Sequence, residues 1–313
     1  MIRYFRTIEG SIHQIDEPQE GCWVAMTDPS ASEVFAIANK YGIEVDHLRA
    51  PLDEEERSRI EVEDNYTLIL VDIPVIEERN DKEWYGTIPL AIILTTERIF
   101  TVCLEDTPVL TAFMDGRVRN FYTYMKTRFI LQILYKNATM FLHYLRIIDK
   151  KSEFVEKKLH AATRNQELLE LLELEKSLVY FTTSLRSNEV VLEKMMKVDR
   201  IKKYPEDEEL LEDVIIENKQ AIEMTVIYRD IINGTRELLS SIIDSRLNNV
   251  MKYLTVITVI MAIPTVISGL YGMNVNSAGV PLADSPFGFL AICSVTLLIC
   301  VIVIFLLRKK KVF

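Results

Sequence analysis

The sequence is poor in the residue types on which catalytic and nucleotide-binding sites usually depend. It contains four cysteines and four histidines in 313 residues, and none is spaced as in a zinc site or a disulfide framework. It also lacks the glycine-rich motifs of dinucleotide-binding and phosphate-binding loops, and no nucleophile is paired with a base. These absences predict that the protein is not an enzyme, and the few cysteines fit a reducing compartment.

The histidines are also too scattered to suggest a metal site. His143 and His160 lie 17 positions apart on predicted helices, farther than the two ligands of a helical metal pair. A structural role is the simpler interpretation of each of the four histidines, which are His13, His47, His143 and His160. The acidic run Asp53-Glu54-Glu55-Glu56 allows two interpretations, a site for a hard cation or a solvated helix face.

Basic charge is scarce in most of the chain. The formal net charge is −10, and this total includes four basic residues at Arg308–Lys311, so the first 250 residues are more acidic still. A nucleic-acid-binding domain needs a basic surface, which argues against that class of partner. The acidic balance indicates either plain solubility or attraction of cations towards a membrane.

Charged residues are absent from two long stretches near the C-terminus, 253–283 and 285–307. They contain the apolar runs Tyr253–Tyr271 and Phe287–Leu307. A helix rises about 1.5 Å per residue and a bilayer core is about 30 Å thick, so each run is long enough to span. The segment 272–286 between them is rich in Gly, Pro, Asn and Ser, as loops are. The pattern predicts a two-helix membrane hairpin.

The distribution of basic residues predicts the orientation of this hairpin. The tail Arg308–Lys311 follows the second run, whereas the connecting loop carries only Asp284. Basic residues stay on the cytoplasmic side, so the tail is expected inside and the loop outside. Two crossings return the chain to its starting side, and Met1–Gly10 has no apolar signal segment. We therefore expect a multi-pass protein of the inner or plasma membrane, with both termini cytoplasmic.

The first hundred residues have the pattern of an α/β domain, a sheet with helices on its faces. A helix is predicted between the capping residue Ser30 and Gly42, and a second over Val45–Glu56. The predicted strands are a hairpin over Met1–Ile15, then Cys22–Met26, Arg59–Glu63, Tyr66–Ile73, Thr87–Leu94 and Ile99–Leu104.

From Pro108 onward the pattern is helical. Long helices are predicted over Lys126–Ala162 and Gln166–Lys203, and a third from Glu206 into the first apolar run, with Gly234 and Pro264 among its few interior breakers. So long a helix must pack against others. The predicted divisions are 1–107 (α/β domain), 108–205 (helical hairpin), 206–252 (stalk helix), 253–271 (first span), 272–286 (outer loop), 287–307 (second span) and 308–313 (basic tail).

One face of the first apolar run is smaller and more polar than the rest. Its residues are Asn248, Met251, Thr255, Thr258, Ala262, Thr265 and Gly269, with Leu254 beside Met251. Two helices cannot enclose a pathway, so a pore would require several copies with this face turned to a common axis. Helix–helix packing without a pore is the favoured interpretation of this face taken alone. Pro264 removes the hydrogen bond to the carbonyl of Ile260 and predicts a kink.

The run ends in Tyr271-Gly272-Met273-Asn274. With this motif the chain resembles the CorA-type magnesium channel family, whose members carry Gly-Met-Asn at the end of the first of two C-terminal spans. The basic tail, the order of domains and Arg229-Asp230-Ile231-Ile232 also agree. The resemblance implies an α+β cytoplasmic domain with an α/β/α-like sheet, a long helical stalk and a transmembrane hairpin. It also implies a homopentameric funnel that conducts Mg²⁺.

The resemblance further implies roles for individual residues. Gly272, Met273 and Asn274 would form the selectivity filter, and Asn248, Met251, Leu254, Thr255, Thr258, Ala262, Thr265 and Gly269 would line the path. Mg²⁺ releases its waters reluctantly, and a neutral amide oxygen such as that of Asn274 accepts hydrogen bonds from those waters. A helix-capping role is the alternative for Asn274. Met251 and Leu254 would form an apolar constriction that closes by dewetting.

Regulation by Mg²⁺ between cytoplasmic domains of neighbouring copies is likewise implied. Asp213 matches one acidic position of that sensor. Arg49-Ala50 stands where the family has a Glu-Asp pair, so sensing is expected to be weakened or shifted to the run 53–56 with Asp213.

The sequence thus predicts a channel for Mg²⁺, with Co²⁺ and Ni²⁺ as further substrates. Its expected partners are further copies of the same chain, the membrane and divalent cations. A zinc transporter of the ZntB branch is one alternative, although that branch changes the central residue of the motif and Met273 does not. A membrane-tethered scaffold without a pore is the other, and it would tolerate Asn274→Ala.

Overall fold

The computed structural model describes residues 1–79, 82–161, 165–198, 201, 204–273, 281–282 and 285–309. The chain forms two compact units, Met1–Thr235 and Arg236–Phe313. Asn274, which is predicted to form part of the filter, and the end of the basic tail, 310–313, lie outside the described residues.

The described elements are a mixture of strands and helices as far as β7, and all later ones are helices. The strands are β1 Ile2–Ile8, β2 Ser11–Ile15, β3 Trp23–Thr27, β4 Arg59–Val62, β5 Tyr66–Arg79, β6 Lys82–Thr95 and β7 Ile99–Cys103. The helices are α1 Ala31–Tyr41, α2 Val45–Arg49, α3 Pro108–Met114, α4 Lys126–Ala161, α5 Asn165–Met195, α6 Pro205–Tyr271 and α7 Gly288–Lys309, with a 3₁₀ turn at Ala50–Leu52.

The first unit is built on a seven-stranded sheet of order β2-β1-β3-β7-β6-β5-β4. Strands β3 and β7 pair in parallel, and the other described pairs are antiparallel. Side chains of successive strand residues point to opposite faces, so Ile69 and Val71 enter one core while Leu68 and Leu70 enter another. Helices cover both faces, which confirms the expected α/β/α-like layering.

Each face has its own set of helices. One core joins the sheet to α1 and α2, through residues such as Val34 and Leu48. The other joins it to α3, α4, α5 and the first turns of α6, through residues such as Phe129, Val191 and Leu211. These buried apolar contacts hold the first turns of α6 on the sheet domain.

Two strands are longer than predicted, β5 at its end and β6 at its start. Strand β5 continues through Pro74 to Arg79, and β6 begins at Lys82 and includes Pro89. Strand β4 pairs with β5 only as far as Leu70, and β7 pairs with β6 only from Leu90. Both prolines therefore lie where their strand has one neighbour, and a missing N–H is tolerated at such an edge position.

Two predicted helices are shorter than expected. The helix predicted over Val45–Glu56 ends at Arg49 and gives way to the 3₁₀ turn, since Pro51 cannot donate the next helical hydrogen bond. The helix predicted to reach Lys203 ends at Met195, after which the N–H groups of Lys197 and Val198 form tighter turn bonds.

A polar network joins α4 and α5 to the middle of β5 at Asp72. The side-chain amides of Asn137 and Asn188 both donate to the Asp72 carbonyl at 2.8 Å, and the Asp72 N–H donates to Asn188 Oδ1 at 2.8 Å. Burial raises the pKa of the Asp72 carboxyl to about 6, although hydrogen bonds from Ser184 and Ser58 oppose the rise. The backbone bonds hold the helices in place, while the carboxylate is held in a poorly solvated position.

Asp72→Asn is therefore expected to stabilise the protein at neutral pH. A carboxyl whose pKa is raised on folding contributes stability below its unfolded value near 3.8 and loses it as pH rises through 6, by up to about 3 kcal/mol. The variant should melt at a higher temperature than the parent at pH 7.5 and at a similar one near pH 4. The exposed change Asp16→Asn is the control, and an equal gain there would contradict the role assigned to burial.

Candidate functional site

Helices α6 and α7 both contain segments that are long and apolar enough to cross a membrane. In their most apolar windows, only 6 % and 0 % of the residues are buried within the chain. A core helix of a soluble protein would be mostly buried, and a signal sequence would lie near the N-terminus, so neither explains these helices. Their apolar surface requires lipid or further protein to cover it.

One face of the α6 span packs on α7. Val256 is only 4 % exposed, and Ile260, Ile263 and Ile267 follow it at helical spacing with partial burial. The thiol of Cys300 on α7 lies 4.0 Å from the Ile260 carbonyl and donates to it. Pro264 has no N–H with which to bond that carbonyl, so α7 of the same chain supplies a donor in its place.

The residues predicted to line a path lie on the opposite face of the span. At 100° per residue they centre about 150° from the face that packs on α7. All of them are exposed in the single chain: Asn248, Met251, Leu254, Thr255, Thr258, Ala262, Thr265 and Gly269. The structure therefore keeps this face free of the hairpin's own second helix.

The threonines of this face have their hydroxyl hydrogens turned back to the helix. Each donates to the carbonyl four residues earlier at 2.8 Å, in the pairs Thr255–Met251, Thr258–Leu254 and Thr265–Met261. A hydroxyl has one hydrogen and two acceptor lone pairs. The outward side of each oxygen is therefore an acceptor, which suits a hydrated cation because the waters around a cation present their hydrogens.

The outer end of the span is tied to the end of the following loop. Helix α6 ends at Tyr271, the Gly272 N–H donates to the Ser268 carbonyl at 2.9 Å, and the Tyr271 hydroxyl donates to the Pro281 carbonyl at 3.0 Å. Met273 is exposed. These contacts place Gly272 and Met273 at the helix-to-loop junction, where the filter was predicted.

The loop also packs closely on the first turn of α7. A Cβ at Gly288 would lie 2.1 Å from the Leu282 carbonyl oxygen, and Leu282 itself has a φ of 65°. Beneath this contact, a cavity of about 820 Å³ separates the outer ends of the spans, lined by residues that include Pro264, Tyr271, Ile292 and Cys293. Glycine at 288 allows the loop to lie over the hairpin.

The residues predicted to take part in regulation lie in the first unit. Asp213 is exposed on α6, and with Glu217 it adds to the effect of burial in raising the pKa of Tyr135 on α4. In the acidic run, Glu56 pairs with Arg59, and the Glu55 N–H donates to Asp53 Oδ1 at 3.0 Å. The structure thus places Asp213 beside Glu217 and Tyr135, while the run 53–56 lies between the 3₁₀ turn and β4.

One cluster was missed from the sequence. His47 on α2 lies against Glu61 and Glu63, which are two residues apart at the end of the edge strand β4. The alternation Glu61-Val62-Glu63 is the signal that could have indicated it, since residues two apart on a strand share a face. The interpretation of His47 as purely structural did not consider these neighbours.

The comparisons with known proteins agree with this arrangement. Residues 18–309 match the family model described as CorA-like Mg²⁺ transporter protein. The chain belongs to that family. The cobalt/magnesium transport protein CorA of Methanocaldococcus jannaschii is 28 % identical over 297 residues, covering 92 % of this chain and 90 % of that protein.

Solved structures extend the likeness to the whole fold. The complete structure of the CorA magnesium transporter from Methanocaldococcus jannaschii has a TM-score of 0.86 and 26 % identity, and the match covers 99 % of this chain and 98 % of that one. The ZntB cytoplasmic domain from Vibrio parahaemolyticus matches with a TM-score of 0.60 at 10 % identity, which is a likeness of fold alone. The protein is therefore an integral membrane protein of a transporter family, and its spans fit an orientation with both termini cytoplasmic.

Gly288→Ala is expected to destabilise the protein, because the added methyl group overlaps the Leu282 carbonyl and the loop must move. Forced overpacking of this kind costs about 1–3 kcal/mol. The matched control is Gly234→Ala, where the new methyl group meets nothing within 4 Å and helix propensity favours alanine by about 0.5–1 kcal/mol. Thermal unfolding in detergent should therefore shift in opposite directions, and a stabilised Gly288→Ala would contradict the packing described.

Proposed function

We propose that the protein is a homopentameric channel that conducts Mg²⁺ into the cytoplasm, with Co²⁺ as a further substrate. Family membership supports divalent-cation transport, and the names of the relatives support these two ions. The observation that carries the proposal is the exposed, hydroxyl-rich face of the α6 span, directed away from α7.

Several copies are needed to cover this face. A single hairpin leaves Asn248, Thr258 and the other polar residues exposed, and polar groups facing lipid are unfavourable. Association of identical chains around an axis removes the face from lipid and creates a polar lumen in one step. The number five comes from the resemblance to the family.

Recognition in this lumen would act on the hydrated ion. Mg²⁺ demands octahedral coordination and dehydrates reluctantly, so a wall that accepts hydrogen bonds from its water shell avoids the cost of stripping it. The threonine oxygens supply such acceptors within the span. At the outer mouth, Gly272, Met273 and Asn274 would form the narrowest ring, with the amide oxygen of Asn274 as the acceptor. A neutral ring also lets the ion leave, as conduction requires.

The cytoplasmic end of the path would act as the gate. Met251 and Leu254 are 53 % and 57 % exposed in the single chain, so a ring of each around an axis is apolar and excludes water when narrow. Ion entry needs no chemical energy, because an inside-negative potential of 100 mV is worth about 4.6 kcal/mol for a divalent cation.

Removal of the acceptors should reduce conduction. In proteoliposomes loaded with a Mg²⁺ dye, Asn274→Ala is expected to abolish uptake that cobalt hexammine blocks, and Thr258→Val to slow it several-fold. The matched control is Thr296→Val on α7, a half-buried threonine whose hydroxyl donates to the Ile292 carbonyl. Equal uptake by all four proteins would refute the proposed path and favour a scaffold without a pore, whereas Zn²⁺ uptake in place of Mg²⁺ would favour the zinc branch.

We also propose that cytoplasmic Mg²⁺ closes the channel by binding between copies at Asp213. Its exposure and its closeness to Glu217 provide a negative surface on α6, while Arg49 is exposed and Ala50 is buried, so neither offers an oxygen ligand there. This supports a sensor with fewer carboxylates.

Asp213→Lys should abolish the protection that Mg²⁺ gives against limited proteolysis. The control Glu212→Lys makes the same charge change at the adjacent exposed position on α6. If Asp213→Lys retains the cleavage pattern of the parent in Mg²⁺, or if both variants lose protection equally, Asp213 has no specific part in sensing.

A further inference from the structure

A cluster of three metal-binding side chains lies in the sheet domain, within the first unit. The ligand atoms of His47, Glu61 and Glu63 all lie within 4.8 Å of one another. His47 is only 8 % exposed, and both glutamates are half-buried. This cluster belongs to α2 and the end of β4 and shares no residue with the proposed path or sensor.

The imidazole of His47 is held in the orientation that a metal ligand needs. Its Nδ1 lies 2.7 Å from the Tyr66 hydroxyl, which also accepts the Glu44 N–H at 3.3 Å. With the proton on Nδ1 donated to Tyr66, the lone pair of Nε2 points towards the carboxylates. A hydrogen bond to the second ring nitrogen that fixes the tautomer is the usual support of a histidine ligand.

The two glutamates are positioned by other contacts. Arg59 bonds Glu61 Oε1, which leaves Oε2 of the same carboxylate 3.1 Å from His47 Nε2. The backbone N–H of Glu63 donates to the Tyr66 carbonyl at 2.9 Å and sets where its side chain begins. Hence the helix, the edge strand and the turn after it each supply one ligand.

The distances fit a small ion with bonds of about 2.0–2.2 Å. Two ligands at the tetrahedral angle around such an ion are about 3.3 Å apart, and no two can be more than about 4.4 Å apart. The pair His47–Glu61, at 3.1 Å, already has about this spacing, whereas a pair at the 4.8 Å limit of the cluster must close by about 1.5 Å to reach the tetrahedral distance. A rotation of one half-buried glutamate side chain is sufficient.

We propose that His47, Glu61 and Glu63 bind a divalent transition-metal ion, Zn²⁺ or an ion of similar chemistry such as Co²⁺. One nitrogen and two carboxylate oxygens with water as the fourth ligand is a set that Zn²⁺ accepts. Mg²⁺ prefers oxygen alone and disfavours imidazole, so the site is selective against Mg²⁺, the main substrate proposed for the channel. Glu44, whose carboxylate lies 4.0 Å from His47 Nε2, adds negative charge, while Arg59 opposes it.

Calorimetric titration of Zn²⁺ into the full chain in detergent, in excess Mg²⁺ to saturate oxygen-only sites, tests the proposal. We expect one strong site per chain in the parent, and at least about tenfold weaker binding in both Glu63→Gln and His47→Gln. His13→Gln removes an exposed histidine of β2 and should leave the affinity unchanged. Asn274→Ala should also leave it unchanged, which separates this site from the channel.

Two further readouts distinguish ligand loss from a disturbed fold. Bound Zn²⁺ should raise the melting temperature of the parent and of His13→Gln but not of Glu63→Gln. Co²⁺ should give the visible absorption of a nitrogen- and oxygen-bound ion of low coordination number in the parent and in His13→Gln, but not in Glu63→Gln. Binding that survives in Glu63→Gln and His47→Gln, or that is lost equally in His13→Gln, overturns the proposal.

Discussion

Uncovered apolar surface is the constraint on which the rest of this molecule depends. The spans in α6 and α7 bury almost nothing within the chain, and their partly buried residues form only one narrow contact between them. Lipid can cover the bulky aliphatic sides, but it is a poor neighbour for threonine and asparagine. The same surface therefore calls for a membrane and, on its polar face, for more copies of the chain. Both the membrane location and the assembly proposed above rest on what a single chain leaves exposed.

The proline in the first span shows how the two helices depend on one another. Pro264 leaves the Ile260 carbonyl without its helical donor, and the thiol of Cys300 is the group that approaches it. A thiol is a weak donor, so the contact satisfies the carbonyl without locking the helices together. The hairpin therefore has a weak interhelical contact beside the cavity at its outer end.

Much of the architecture was predictable because its signals are local. The aliphatic and β-branched residues of β5 and β6, the capping pair at Ser30 and Glu33, and the uncharged runs are each recognisable from neighbouring residues alone. The errors in the strand bounds arose where neighbouring strands, distant in the sequence, determine how far a strand extends. Pro74 and Pro89 are tolerated because β4 and β7 stop short of them, which no local pattern reveals.

The same limit applies to the candidate sites. The face of Thr255, Thr258 and Thr265 follows from helical spacing, whereas the meeting of His47 with Glu61 depends on how α2 packs beside an edge strand. Asn274 is known only from the motif, since it lies outside the described residues.

The hydroxyl hydrogens of the three threonines bond carbonyls of their own helix, and this affects whether the face favours cations or anions. Chloride and phosphate are solvated by donors, and at these three threonines they would meet lone pairs only. A hydrated metal ion presents its own hydrogens to the same oxygens. A lumen built from such faces rejects anions without a single fixed charge, and so avoids the tight binding that a ring of carboxylates would impose on a divalent ion.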